Sequence, residues 1–267
     1  MPPTLRTARE LWVCHLGTVT YRDALSLQEG VRARRQTDEL PDTLLLLEHP
    51  PVYTRGRRSA GGELSFGEDF YRARGIEIVP TDRGGRVTYH GPGQLVGYPI
   101  MSAPDVVLHL RTIEDAIVAA LAEEGIAARS RPADGPDYTG VWVGPRKLAS
   151  LGVHVSRGIS THGFAINVDN DLEPFSWVVA CGLPDVAMTS VARELQPPGT
   201  TDPACFRRRM AHHFCETFGR RQRLVSPRRL GIEARTAPAR GTTPRAHQPP
   251  APPARADDPK IEPMVPA

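Results

Sequence analysis

The sequence predicts an α/β (α+β) chain, on three observations. Short apolar runs closed off by proline, glycine or polar residues recur between Leu11 and Val168, at strand rather than helix length. Three longer stretches, Tyr21 to Thr37, Val106 to Glu124 and Thr201 to Phe218, carry helical composition or spacing. At 267 residues, with 40% hydrophobic and 24% charged side chains, the chain can bury a sizeable core and has the make-up of a globular protein.

In chain order, Leu11 to Leu16 reads as a first strand and Tyr21 to Thr37 as a helix with its charges on one side. Thr43 to Glu48 holds four consecutive leucines between Pro41 and Pro50, so a buried strand is expected there rather than a helix. After His49-Pro50-Pro51-Val52-Tyr53 the chain through Gly62 is polar and glycine-containing, which predicts a mobile loop, and Ile76 to Pro80 reads as a strand. Arg86 to His90 and Gln94 to Ile100, joined by Gly91-Pro92-Gly93, predict a hairpin around a tight turn. Val106 to Glu124 places apolar residues at 106, 107, 110, 113, 117, 118 and 121, one face of a helix that Gly125 ends. Tyr138 to Val143, Lys147 to Val155 and Ser160 to Val168 are three further strand-like runs, Asp171 to Val179 a short helix or turn, and Thr201 to Phe218 a last helix. Beyond Val225 lie ten of the 27 prolines and no aromatic residue, so the expected division is a folded domain over 1–224 and a disordered tail over 225–267.

Bulk charge excludes little until it is located. Residues 225–267 hold seven basic and four acidic side chains, which leaves 26 of each sign in 1–224, so the excess of +3 belongs to the tail. A nucleic-acid partner is therefore not expected. Arginine clusters at Arg55, Arg57 and Arg58 and at Arg207, Arg208 and Arg209 read either as solvated faces or as docking points for an acidic protein. No run of 18 apolar residues exists, and the arginines near the N-terminus precede no apolar signal core, so neither a membrane span nor a secretory signal is expected. The four cysteines, at 14, 181, 205 and 215, form no CxxC pair or zinc-finger spacing; free thiols in a reducing cytoplasm are the simplest reading.

Chemistry points to two residues. Lysine occurs only at 147 and 260, so the region ahead of the tail uses arginine everywhere except at Lys147. Arginine does not release its proton in a protein, whereas a desolvated lysine does, so this position calls for an amine that titrates. Cys181, between Ala180 and Gly182, has small neighbours that leave a nucleophile accessible, and a thiol that does chemistry needs a nearby cation to be held as thiolate. Each residue alone also fits a plainer role, a small buried hydrophobe or a surface cation; the hypothesis is their pairing. His90, in the glycine-rich segment, is the best additional polar group for a pocket. Gly84 and Gly85 lack side chains, so their backbone N–H groups can lie close to a ligand or simply serve turns. No GxxxxGK[ST], GxGxxG, HExxH or GxSxG pattern is present, so no nucleotide loop, metal cofactor or serine-hydrolase elbow can be read.

Taken together, Arg83-Gly-Gly-Arg-Val-Thr-Tyr-His-Gly-Pro-Gly-Gln, Lys147-Leu-Ala-Ser-Leu-Gly-Val, Gly163-Phe-Ala-Ile-Asn-Val-Asp, Pro174-Phe and Ala180-Cys-Gly closely resemble, in order, the lipoyl(octanoyl) transferases over about residues 10–220. The resemblance implies the biotin and lipoate protein ligase type of catalytic domain, a mixed sheet flanked by helices with a smaller second sheet. It also implies octanoyl transfer from acyl carrier protein to one lysine of the lipoyl domains of 2-oxoacid dehydrogenase E2 subunits or of the glycine cleavage H protein. By the same resemblance Cys181 carries the acyl thioester and Lys147 lowers its pKa. The substrate-contacting segments fall on Arg83, Gly84, Gly85, Arg86, Val87, Thr88, Tyr89 and His90, on Ser150, Leu151 and Gly152, and on Gly163, Phe164 and Ala165. Val87, Tyr89, Leu151 and Phe164 are the expected walls of an apolar slot for the octanoyl chain. Thioester exchange needs no ATP and no cofactor. Two rivals stay open: an ATP-dependent lipoate or biotin ligase on the same scaffold, and a non-catalytic module that binds acylated proteins.

Overall fold

Strand β2 (Thr43–Glu48) carries the leucine run, and its pleat sets the layers. Leu44 and Leu46 enter one apolar cluster and Leu45 and Leu47 another, so both faces of the sheet are buried. Each leucine removed from water in this way contributes roughly 2 kcal/mol. The structure, a computed structural model, describes residues 10–178, 186–195 and 202–232.

The large sheet has the order β11 (Arg221–Leu224), β1 (Glu10–Thr18), β2, β6 (Gln94–Ile100), β10 (Ile159–Asn167), β9 (Arg146–Ser156), β8 (Gly140–Val143), β7 (Arg129–Ser130). Strands β11, β1 and β2 pair in parallel and the rest antiparallel, so the sheet is mixed, as the family resemblance implies. Helix α1 (Tyr21–Gln36) covers one face through Ala24 and Val31. Helices α3 (Val106–Glu123) and α5 (Pro203–Thr217) cover the other through Ile113, Ile117, Phe206, Met210 and Phe214. Thr20, Asp105 and Asp202 cap the three helices, each accepting a first-turn N–H. A smaller sheet, β4 (Glu77–Pro80), β3 (Val52–Arg55), β5 (Thr88–His90), packs with the short helix α2 (Glu68–Arg72) on a separate aromatic cluster that includes Tyr53, Tyr71, Phe175 and Trp177. A one-turn helix α4 (Val191–Glu194) completes the described elements.

Three expectations need correction. Arg86 to His90 and Gln94 to Ile100 do not form a hairpin: β5 pairs with β3 in the small sheet, while β6 lies between β2 and β10 in the large one. Both edges of β6 are taken, so the Gly91–Gly93 turn passes the chain from one sheet to the other. The expected mobile loop after Tyr53 begins instead with the second half of β3, whose Thr54 is buried. The expected boundary at 224 falls short of the packed chain. Val225 N–H donates to Val13 O at 3.0 Å, and Leu230 is buried in the cluster beneath α1. The rest of the expected tail, 233–267, lies outside the described residues.

Candidate active site

The segment after β4 is drawn onto the large sheet by glycines. Gly84 N–H donates to Val153 O at 3.0 Å, and a Cβ on Gly152 would stand 2.7 Å from Gly84 O, so Gly152 admits no side chain without moving backbone. Arg83 is buried and clamped: its guanidinium donates to Thr54 O at 2.7 Å and to Gly84 O at 3.0 Å. A cleft enclosing about 600 Å³, its mouth included, opens between these residues and strands β6, β9 and β10.

Most of the expected residues meet there. Arg83, Gly85, Arg86, Thr88, His90, Lys147, Ser150, Leu151, Gly152, Gly163, Phe164 and Ala165 all line the cleft. Val87 and Tyr89 do not: they join the aromatic cluster of the small sheet. Successive side chains point to opposite sides of an extended chain, so the run 86–90 divides into cleft-facing 86, 88 and 90 and core-facing 87 and 89. Of the four expected slot walls, Leu151 and Phe164 remain. Gly84 is absent from the lining and spends its N–H on Val153 O, so it is not a ligand donor.

Lys147 is 2% exposed despite its charge, and two features of β8 and β9 account for its place. Val141 pairs with Ala149 but Trp142 pairs with Lys147, so Leu148 is skipped. This bulge reverses the alternation and turns Lys147 away from the core that holds Ala149 and towards the cleft. Its Nζ lies 5.3 Å from the centre of the buried Trp142 ring, within cation–π range. Beneath its stem is Gly140, where a Cβ would come within 2.7 Å of Lys147 Cε.

Cys181 lies outside the described residues, as do its neighbours from 179 to 185. The described chain on the far side of that stretch returns to Lys147: Lys147 N–H donates to Ala187 O and Thr189 N–H to Lys147 O, both at 2.9 Å.

Several lining residues were not singled out in the sequence: Tyr21, Val96, Tyr98 and Asp137 among them, beside His162. A buried set of rings joins them. His49 Nδ1–H donates to Val19 O at 2.7 Å, which leaves Nε2 to accept the Tyr98 hydroxyl at 2.6 Å. Gln94 uses its amide N–H groups on Tyr89 O and Asn167 Oδ1, so its oxygen accepts from His90 Nδ1–H at 2.7 Å. Burial holds His49 down to about 4 and His90 well below the usual imidazole range, so both are neutral at pH 7. His162 has a positive φ of 57°, and burial lowers its pKa too. Its Nε2–H donates to Asp82 at 2.7 Å, and that hydrogen bond is the main reason the Asp82 carboxyl falls to about 2. The imidazoles and phenols of this wall are themselves uncharged at pH 7, and the charge beside them is the buried Arg83 guanidinium.

Among the described residues no group of three or more His, Cys, Asp or Glu is placed to hold a metal ion. A family model described as the lipoyl protein ligase A/B catalytic domain matches residues 20–215. The chain belongs to that family. Curated family members include the octanoyltransferase of Caldicellulosiruptor saccharolyticus, 40% identical over 222 residues that cover 81% of this chain and 92% of that protein. The octanoyltransferase of Solibacter usitatus is 48% identical over 172 residues, 63% of this chain and 76% of that one. Among solved structures, lipoate-protein ligase A bound with ATP has a TM-score of 0.68 at 21% identity, covering 81% of this chain and 89% of the other. A bipartite lipoate protein ligase from Thermoplasma acidophilum has a TM-score of 0.64 at 20% identity, covering 81% and 87%. At that identity the likeness shows the fold, and the mixed sheet with a smaller companion is the fold they share. No helix among the described residues is long and apolar enough to cross a membrane.

Proposed function

We propose that this protein is an octanoyltransferase that carries the acyl group on Cys181. One observation carries the reading: the single lysine ahead of the tail is buried in the cleft wall, and the chain leaving the Cys181 stretch pairs with its backbone.

The steps follow from a thiol and an amine. The Cys181 thiolate, favoured by the Lys147 ammonium, attacks the octanoyl carbonyl carbon of the carrier protein's thioester. The carbon–sulfur bond to the phosphopantetheine thiol breaks, and the leaving thiolate takes a proton from Lys147. The acceptor lysine of a lipoyl domain then attacks the Cys181 thioester, its surplus proton passes to the Lys147 amine, and the Cys181 thiolate departs. Leu151 and Phe164 provide apolar wall for the chain, each buried methylene supplying roughly 0.8 kcal/mol. The carrier protein is acidic in this reading and approaches the exposed Arg58, which lines the cleft, and its exposed neighbour Arg57. The acceptors are lipoyl domains of dehydrogenase E2 subunits and the glycine cleavage H protein. A reducing compartment, the cytoplasm, keeps Cys181 a thiol.

The test is to mix the protein with octanoyl carrier protein without ATP and weigh it intact. A gain of one octanoyl group on the wild type, absent from Cys181→Ser, is expected. An ATP-dependent ligase would show transfer only with ATP and would tolerate the serine, and a binding module would show no covalent gain; either result ends the proposal.

A further inference from the structure

Glu114 sits in the middle of α3 with no exposed surface, an unusual place for a carboxylate. One oxygen pairs with Arg111 one turn earlier. The other, Oε1, accepts the backbone N–H of Gly140 at 2.7 Å, across 26 residues of sequence. Gly140 opens β8 at φ 147°, a conformation that side-chain-bearing residues rarely adopt, and its α-carbon is the floor under Lys147. A Cβ there would lie 2.5 Å from Ala149 O, 2.7 Å from Lys147 Cε and 3.4 Å from Nζ. Glu114 therefore holds the one backbone unit that leaves room for the buried lysine.

We infer that Glu114 is a positioning residue for Lys147, acting through the Gly140 N–H. The inference rests on the proposed role of Lys147 and deepens it. A charge-assisted hydrogen bond to a backbone N–H fixes the start of β8 more firmly than a neutral one. It also fixes the gap between Gly140 and the Trp142 ring in which the lysine stem lies. A helix face that needed only apolar filling would carry leucine at 114. The carboxylate is kept because the Gly140 N–H, buried at the edge of the site, has to be satisfied without placing a side chain over Lys147. Without Glu114 the first residues of β8 relax, the ammonium loses its fixed place over Gly140 and beside Trp142, and less Cys181 is thiolate at a given pH.

The experiment compares wild type, Glu114→Ala, Gly140→Ala, the double variant and, as a control for lost helix ion pairs, Glu124→Ala, whose carboxylate pairs with Arg209. Three readouts are taken: the melting temperature, the octanoyl adduct by intact mass, and the pH dependence of adduct formation. Expected for Glu114→Ala and Gly140→Ala is an acid limb moved upward by about one pH unit, which is about a tenfold slower acylation at pH below it. The double variant should lose less than the product of the two single losses, because both act on one floor. Glu124→Ala should lower the melting temperature with the acid limb in place. Where Glu114→Ala does not fold, Glu114→Gln, of equal volume, should show a smaller shift in the same direction. A wild type without adduct would overturn the reading of the site itself. A wild type with adduct and Glu114 variants whose acid limb matches it would overturn only the positioning role.

Discussion

Trp142 and Lys147 stand opposite each other across the β8–β9 ladder because Leu148 is left out of the pairing. One skipped residue thus converts a core-facing position into a cleft-facing one and sets an ammonium over an indole. The lysine stem lies so close over Gly140 that a Cβ there would come within 2.7 Å of Lys147 Cε, and a planar guanidinium does not reproduce a compact ammonium at this place. Lys147→Arg and Lys147→Met should each fold, with far-ultraviolet circular dichroism like the wild type, and lose octanoyl transfer by about a hundredfold or more. Turnover of Lys147→Arg near the wild-type rate would show that a fixed charge suffices and that no proton passes through this residue.

Stability should fall with acid, and His49 is a principal cause. Folded, His49 needs its neutral form, because Nε2 must accept from Tyr98 while Nδ1–H donates to Val19 O. Its pKa lies at about 4, below the ordinary 6.5, so the unfolded chain binds the proton first as pH drops. The contribution is complete above pH 6.5 and disappears as pH falls towards 4, with about 2 kcal/mol gone by pH 5. His109, also lowered to about 4 by burial, adds loss in the same direction. Guanidinium midpoints at pH 7.5 and pH 5 measure the slope. His49→Gln should be less stable at pH 7.5 and have a flatter slope; an unchanged slope would remove His49 from this account.

Local pattern made the elements legible, and pairing across the chain hid the rest. The leucine run over Thr43–Glu48 and the 3.6-residue spacing of Val106 to Glu123 are properties of consecutive residues, and both elements lie where the sequence places them. The link between His90 and Gln94 is also local, four residues apart, and His90 was recognisable as a pocket group from its glycine surroundings. His49 with Tyr98, His162 with Asp82 and Glu114 with Gly140 join positions 49, 80 and 26 residues apart, and no window contains both partners. The bulge at Leu148 leaves no signature because Leu-Ala-Ser-Leu reads equally well as an unbroken strand. The division of 86–90 between cleft and core follows from strand alternation alone, a property of consecutive residues.

The C-terminal boundary gives a test of packing against composition. Ending the chain after Leu224 removes the Val225 N–H bond to Val13 O, the buried Leu230 and the Arg34 bond to Leu230 O at 2.9 Å. Burial of one leucine and two hydrogen bonds amount to about 2 to 3 kcal/mol. Truncation after 224 should therefore lower the melting temperature by about 5 °C or more. Truncation after Ile232 should leave both melting temperature and transfer unchanged. Equal melting temperatures for the two truncations would place the boundary at 224 after all.

Chain length should be set where Gly97 and Phe164 pair on adjacent strands. A Cβ on Gly97 would lie 2.1 Å from the Phe164 ring and a Cβ on Gly163 2.3 Å from Gly97 O, so glycine at both positions is what lets the ring lie flat across β6. Phe164 lines the cleft and also stacks on Phe214, with 6.1 Å between ring centres, so it cannot retreat into the core. Shortening it in Phe164→Leu opens space at the slot wall, and each additional methylene that the slot then accepts is worth about 0.8 kcal/mol, or about fourfold. The ratio of decanoyl to octanoyl transfer should rise accordingly by up to about fifteenfold for two methylenes. Gly97→Ala acts in the opposite sense: β6 is held by strands on both sides, so the ring must swing and narrow the slot, and the same ratio should fall. Competition between octanoyl and decanoyl carrier protein, read by mass on the acceptor, measures both variants. Ratios that move together, or not at all, would show that the acyl chain does not pass Phe164.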